Sequence, residues 1–255
     1  MFHKFSKHLF LFEELVKRDF KQKYKGTVIG MAWSVLSPLL NLLVLRLVFT
    51  QFFSKGMDHY TTYLFAGTVC FSFFKEATKG GMSALTSNAS IFTKINVPKY
   101  LFLLSKNVSA VINFGLTLVV FFLFAALDGV PFTWKFIMLL YPFLYLIIFN
   151  VGVGLILSAM YIFFRDTKYL YDVFTLLLHY CSAIFYRVDS YPESIQRIFL
   201  ANPVYLAIKY VRVITLDGNI PSFQYHLLML GWVVFMVGIG ALIYKKCNHK
   251  FLYYV

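Results

Sequence analysis

From Phe136 to Phe164 the chain carries no charged residue, and comparable apolar runs return along most of its length. A helix needs about 20 apolar residues to cross the hydrocarbon core of a bilayer, so these runs constrain the fold more than any other feature. Composition agrees: 60% of the residues are hydrophobic, 14% are charged and the mean hydropathy is +0.70. A soluble domain would carry about 25% charged residues. The expectation is an all-α integral membrane protein with one domain over residues 1–255. Six spans are expected at about 28–53, 60–80, 107–127, 136–164, 169–186 and 223–244. The second is interrupted by Lys75 and Glu76, and the fifth carries Asp172 and His179.

The net charge of +13 raises the question of nucleic acid, but the cations sit in short clusters between apolar runs. That distribution belongs to membrane topology. Lysines and arginines before residue 26, with Lys79, Lys94, Lys99, Lys106, Arg165, Lys168, Lys245, Lys246 and Lys250, fall on one side of a six-span chain. Lys55, Lys135, Arg187, Arg197, Lys209 and Arg212 fall on the other. The excess puts both termini in the cytoplasm. Between the fifth and sixth spans, residues 187–222 are mostly apolar yet break at Asn202-Pro203. Proline disfavours helix in the residue before it, so two pieces within about 192–214, each too short to cross, predict a re-entrant or interfacial hairpin at the outer face.

Four features could carry function. The first is an amphipathic interface helix over about 9–25, with Leu9, Phe12, Val16, Phe20 and Tyr24 on one side and Glu13, Glu14, Lys17, Arg18, Lys21 and Gln22 on the other. It is either a topology anchor, a brace for a partner, or a cationic surface for an anionic lipid-linked group. Lys21 and Lys25 are one turn apart and can face one phosphate. The second is the connection containing Ile91, Phe92, Lys94, Ile95, Asn96, Val97, Pro98 and Lys99, which reads as a plain turn between spans or as an element that docks into a partner. The third is Arg165-Asp166, read as a charged stop, a buried pair or a phosphate contact. The fourth is the aromatic content, 30 Phe and 18 Tyr. Rings serve lipid-facing surfaces and interfacial belts, and they also pack on the apolar faces of sugars.

Absences narrow the choice. Cys70, Cys181 and Cys247 lack the spacing of a zinc site or a disulfide framework. No GxxxxGK[ST] phosphate loop, HExxH or GxSxG occurs. Glu76 is the one carboxylate near mid-membrane that hydropathy singles out, so a proton relay is not indicated. No catalytic residue and no metal site is expected.

In order, GTVIGMAWSVLSPLLNLL, YLFAGTVCFSFF, IFTKINVPKYLFLLS, GLILSAMYIFFRDTKYL and ANPVYLAIKYVR resemble the membrane subunit of the polysaccharide-exporting ABC transporters. That family moves O-antigens, capsules, teichoic acids and rhamnose-rich wall polymers. The resemblance implies a homodimer enclosing a channel in the bacterial cytoplasmic membrane. Two copies of a separate ATPase subunit would bind ATP and Mg below it, and this chain would need no cofactor. It also implies a substrate linked to undecaprenyl pyrophosphate, a coupling element at Ile91 to Lys99, and a lipid-pyrophosphate surface at Arg18, Lys21, Tyr24, Lys25, Arg165 and Asp166. Trp33, Phe185, Tyr186, Tyr191, Asn202, Pro203 and Tyr205 would belong to the channel and its outer gate. Two other readings are a permease for a small lipid or drug, with a narrower and less aromatic channel, and a membrane glycosyl- or acyltransferase. The transferase would gather acids and histidines at one membrane face, and this sequence scatters them.

Overall fold

Gly26 and Gly30 hold positive φ, +82° and +58°, a region that glycine enters at no steric cost. They break the chain between α1 (Phe2–Tyr24) and α2 (Trp33–Phe53), leaving one tight turn at Gly30–Ala32. The span expected from residue 28 therefore begins its helix at Trp33, and Val28 is fully exposed in the corner.

The computed structural model describes residues 2–53, 58–95 and 97–254, so Lys55 and Asn96 lie outside the described residues. Within them the fold is helical and has no strand. After α2 come α3 (Tyr60–Ser83), the short α4 (Ala89–Phe92), α5 (Tyr100–Leu127), α6 (Leu140–Phe163), α7 (Thr167–Cys181), α8 (Glu193–Leu200), α9 (Pro203–Thr215) and α10 (Phe223–Cys247). Tyr100–Leu127, Trp134–Phe163 and Phe223–Cys247 are each long and apolar enough to cross a bilayer, which makes this a multi-pass membrane protein. The fifth expected span ends its helix at Cys181, short of Tyr186; its 15 residues rise about 22 Å.

Although Lys75, Glu76 and Lys79 weaken the apolar signal of α3, most of its residues are buried, and it packs against α5, α6 and α9. The charges occupy one face, which leaves the rest of the helix apolar. Phe73 stacks on Phe114 of α5 with ring centroids 4.2 Å apart, and Phe65 meets Phe121 and Phe124. Lipid tails are as apolar as leucine, so contact in a membrane rewards close approach over small residues. A Cβ on Gly81 would lie 3.0 Å from Gly154 Cα, and one on Gly152 would lie 2.7 Å from the Val237 backbone nitrogen. These glycines bring α3 and α10 against α6.

The two ends of the bundle are tied differently. At one, Leu15 of α1, Leu85, Phe92 of α4, Phe102 and Phe251 share a cluster, so the first helix and the C-terminal turn meet at the same end. At the other, the Asp128 carboxylate caps α3, accepting hydrogen bonds from the Thr62 backbone N–H at 3.1 Å and its hydroxyl at 2.7 Å.

Candidate functional site

The face of α1 that packs inward is rotated from the one its apolar spacing suggests. Leu9 is exposed, Phe12, Val16 and Phe20 are half-buried, and Leu15 and Asp19 are buried. The reason is Asp19, whose Oδ1 accepts from Arg18 Nη2 at 2.8 Å and from Lys106 Nζ at 3.0 Å, while the Ser105 hydroxyl donates to Oδ2 at 3.2 Å. Arg18 also donates to Asn88 Oδ1 at 2.7 Å. Its charge therefore holds α1 onto α5 and the Thr86–Asn88 turn. Lys21 and Lys25 are exposed; Tyr24 closes α1. Asp19→Ala removes the acceptor that three donors share; Arg18 keeps Asn88 and Ser105 keeps the Phe102 carbonyl, while Lys106 loses its carboxylate, at about 1–3 kcal/mol. We expect a lowered unfolding midpoint and faster proteolysis between α1 and α2; an unchanged midpoint would contradict this role.

The connection from α4 to α5 has an anchored base and an open tip. Phe92 is buried beside Phe102, with centroids 6.0 Å apart. Lys99 is nearly buried: its ammonium donates to the Asn248 carbonyl and lies over Phe92 and Phe251, 5.8 and 5.5 Å from their centroids. Burial lowers its pKa. Ile91, Val97 and Pro98 are half-buried, whereas Thr93, Lys94 and Ile95 are exposed. Arg165 and Asp166 are both exposed and form no ion pair with each other among the described residues, so the buried-pair reading is corrected; Arg165 lies over the Tyr161 ring at 5.4 Å instead. Asp166 precedes the first residue of α7.

At the opposite end, α8 and α9 meet at 108°. Asn202 makes the corner: its Oδ1 accepts from the Val204 and Tyr205 backbone N–H groups at 3.0 and 3.2 Å, as an N-cap does, and its Nδ2 donates to the Cys181 carbonyl at 3.1 Å. Pro203 fits the first helical position, where no N–H is needed. No residue of α8 is buried, while α9 is mostly buried among α3, α6 and α10. Tyr186 stands edge-on to Tyr191 and Phe199, and Phe199 edge-on to the buried Tyr205. Phe185 is half-buried, and its carbonyl accepts from the Tyr60 hydroxyl at 3.1 Å. These expected gate residues thus come together. Trp33 does not join them; it opens α2 near the α1 end.

Linear charge counting groups Arg212 with the outer cations and gives it no depth; the structure supplies the depth. Arg212 is buried, donating from Nε to the Tyr63 carbonyl at 3.2 Å, from Nη1 to Ala183 at 2.8 Å and from Nη2 to Ile184 at 2.9 Å. Its guanidinium carbon lies 3.5 Å from the Tyr63 ring centroid. Ala183, at φ +48°, belongs to the reversal after α7, so one side chain fastens α9, α3 and that reversal. A Cβ on Gly67 would come within 2.8 Å of Nη2; glycine there makes room for the fork. The sequence signal was the placement of Arg212 within an apolar helical spacing, which a count by loops ignores.

Trp33, Ser37, Asn41, Ser72, Glu76 and Thr117 help line a cleft of about 530 Å³ between α2, α3 and α5. Glu76 accepts from Lys23 at 2.8 Å and from Asn113 at 2.7 Å at its edge. Polar side chains persist in membrane helices where they face water, a ligand or one another. A second cleft, between α3 and α7, has Lys75, Lys79 and Asp172 on its walls.

An array of apolar helices with polar clefts, a bent helix pair at one end and an exposed-tipped connection at the other has the make-up of a transporter's membrane part. The family described as "ABC-2 type transporter" matches residues 11–216, and the chain belongs to it. Over 247 residues, and 95% of both chains, it is 26% identical to the O-antigen export system permease protein RfbA of Klebsiella pneumoniae. It is 24% identical over 239 residues to the protein of that name from Myxococcus xanthus, covering 93% of this chain and 92% of the other. With the polysialic acid transport protein KpsM of Escherichia coli it shares 22% identity over 211 residues, 82% of each.

Proposed function

We propose that the chain is the permease subunit of an ATP-driven exporter that carries undecaprenyl-pyrophosphate-linked polysaccharide across the bacterial cytoplasmic membrane. The observation that carries this reading is the extent of the likeness: the O-antigen export permease aligns over 95% of both chains, which includes the bent pair and the α4–α5 connection. Two copies enclose the channel, and two copies of a separate ATPase subunit bind ATP and Mg. This chain contributes no catalytic group.

Six crossings, α2, α3, α5, α6, α7 and α10, fit the gathering of α1 and the C-terminal turn at one end, since an even number returns the chain to its starting side. That end faces the cytoplasm, in keeping with the charge bias. α7 alone falls short of a hydrocarbon core about 30 Å thick. The bent α8–α9 pair occupies the outer leaflet beside it and makes up the remaining depth. The exposed Lys21, Lys25 and Arg165 receive the pyrophosphate at the inner interface, and Arg18 fixes the helix that presents them. The Thr93–Ile95 tip docks in the ATPase, while buried Phe92 and Lys99 pass its movement to α5 and the C-terminal turn. The aromatic group at Phe185, Tyr186, Tyr191 and Tyr205, with the Asn202-Pro203 corner, closes the outer mouth.

Cysteine cross-linking tests the docking step. In a chain whose Cys181 and Cys247 are replaced by serine, Ile95→Cys should form an adduct with cysteines placed in the docking cleft of the ATPase. Trp134→Cys, exposed toward the opposite end, should form none. Equal yields, or none at Ile95, would sink the assignment.

A further inference from the structure

The face of α3 that its neighbours leave open carries three ionic side chains, and two of them are compensated. Glu76 pairs with Lys23 at 2.8 Å on the side toward α1. Lys79 pairs with Asp172 of α7 on the other side. The ammonium of Lys75, one turn before Lys79, has no hydrogen-bond or ion-pair partner among the described residues, and the residue is exposed. It lies about 12 Å along the helix axis from the last residue of α3. A cation at that depth is costly to insert and persists where it faces a water-filled cavity or a ligand.

Lys75 faces a cavity. A cleft of about 490 Å³ between α3 and α7 is lined by Lys75, Lys79, Asp172, Thr175, His179 and Tyr180. With Asp172 set against Lys79, one uncompensated positive charge remains. The Thr175 hydroxyl donates to the Asp172 carbonyl at 3.0 Å. Its lone pairs do not attract an anion, so Lys75 is the attracting group. Beside the cleft, Val173, Phe174, Leu176 and Leu177 of α7 are exposed and apolar. Only one line of α7, Thr167, Tyr171 and Thr175, is buried, and Tyr171 ties it to Thr78 of α3 through a 2.5 Å hydroxyl contact. A charged pocket flanked by an open apolar helix face fits an amphiphile with an anionic head and a hydrocarbon tail. A neutral sugar has no use for the cation, and a free anion has none for the apolar face.

We propose that the α3–α7 cleft is an intramembrane anion site that holds the pyrophosphate of the lipid-tethered substrate, with Lys75 as its charged contact. This rests on the exporter reading and adds a station to it beyond the inner-interface cations.

The test is binding of radiolabelled undecaprenyl pyrophosphate to the permease–ATPase complex in phosphatidylcholine nanodiscs. Lys75→Gln should weaken binding about tenfold, as expected for loss of one charged hydrogen bond. Lys75→Arg should stay within about threefold of wild type, because it keeps the charge. The unfolding midpoint of Lys75→Gln should hold or rise, since an unpaired cation within the span is removed. Unchanged binding in Lys75→Gln, or a loss of binding accompanied by a lowered midpoint, would overturn the site while ATP-driven export by the wild type leaves the exporter reading standing. Undecaprenol binding as tightly as the pyrophosphate, or inorganic pyrophosphate displacing it at equal concentration, would overturn the lipid-tethered anion. Failure of the wild type to bind the carrier at all would overturn both.

Discussion

Arg212→Met is expected to prevent the protein from accumulating in the membrane, and Arg212→Lys to leave it folded with a markedly lower unfolding midpoint. Three carbonyls, of Tyr63, Ala183 and Ile184, take their donors from this one guanidinium. Each buried group left unsatisfied costs about 1–3 kcal/mol, and the surroundings of α9 are mostly buried apolar side chains that offer no replacement donor. Methionine also forfeits the stacking on Tyr63. Summed, the loss is a large part of a total stability of about 5–15 kcal/mol. Lysine keeps a charge and three donors, but on a point-like head that cannot span the carbonyls in a plane or stack on a ring. Membrane-fraction immunoblots and thermal unfolding in detergent read both outcomes. Wild-type levels and midpoint for Arg212→Met would show that the cage holds nothing together.

The second large effect is expected at Gly152. Its missing Cβ would sit 2.7 Å from the Val237 nitrogen and 2.8 Å from the Met236 carbonyl carbon, and both are backbone. Opposite it, a Cβ on Gly240 would be 2.8 Å from Leu155 Cβ and 2.9 Å from the Gly152 oxygen. A backbone cannot rotate out of the way as a side chain can, so α10 has to lift off α6. Overpacking in cores typically costs about 1–3 kcal/mol, which is the loss expected for Gly152→Ala. Gly152→Val, with two further methyl groups in the same space, should abolish the stable fold. Gly231 has nothing within 4 Å of its would-be Cβ, and Gly231→Ala should be neutral or slightly stabilising. The comparison of midpoints for positions 152 and 231 separates close helix contact from glycine's effect on helix propensity. Equal shifts at the two would contradict the packing argument.

These two positions also mark where the sequence stops being legible. Apolar run length locates α5, α6 and α10, because crossing a bilayer demands that length of any chain. It underrates α3, since hydropathy averages over all faces while Lys75, Glu76 and Lys79 share one. The bend at Asn202-Pro203 is readable because proline and an amide cap are local chemistry; the 108° that results depends on what α9 packs against. The roles of Arg212 and Asp19 escape a count of charges for a common reason. Each is held by partners far away in the chain, Tyr63 for one and Lys106 for the other, and a linear count of charges has no depth. The same limit turned the expected face of α1, where apolar spacing outlined one stripe and a buried carboxylate selected a neighbouring one. For the candidate site, the α4–α5 connection and the aromatic group after α7 could be named from sequence. The compensation of Lys79 by Asp172, which leaves Lys75 alone, could not.

ATP-driven export is decided by reconstitution. The chain, its ATPase partner and a labelled undecaprenyl-pyrophosphate-linked polymer would be placed in proteoliposomes, and the polymer assayed with a glycosidase confined to one side. ATP, both subunits and the intact Thr93–Ile95 tip should all be required for the polymer to change sides. Movement without ATP, or movement with this chain alone, would contradict it.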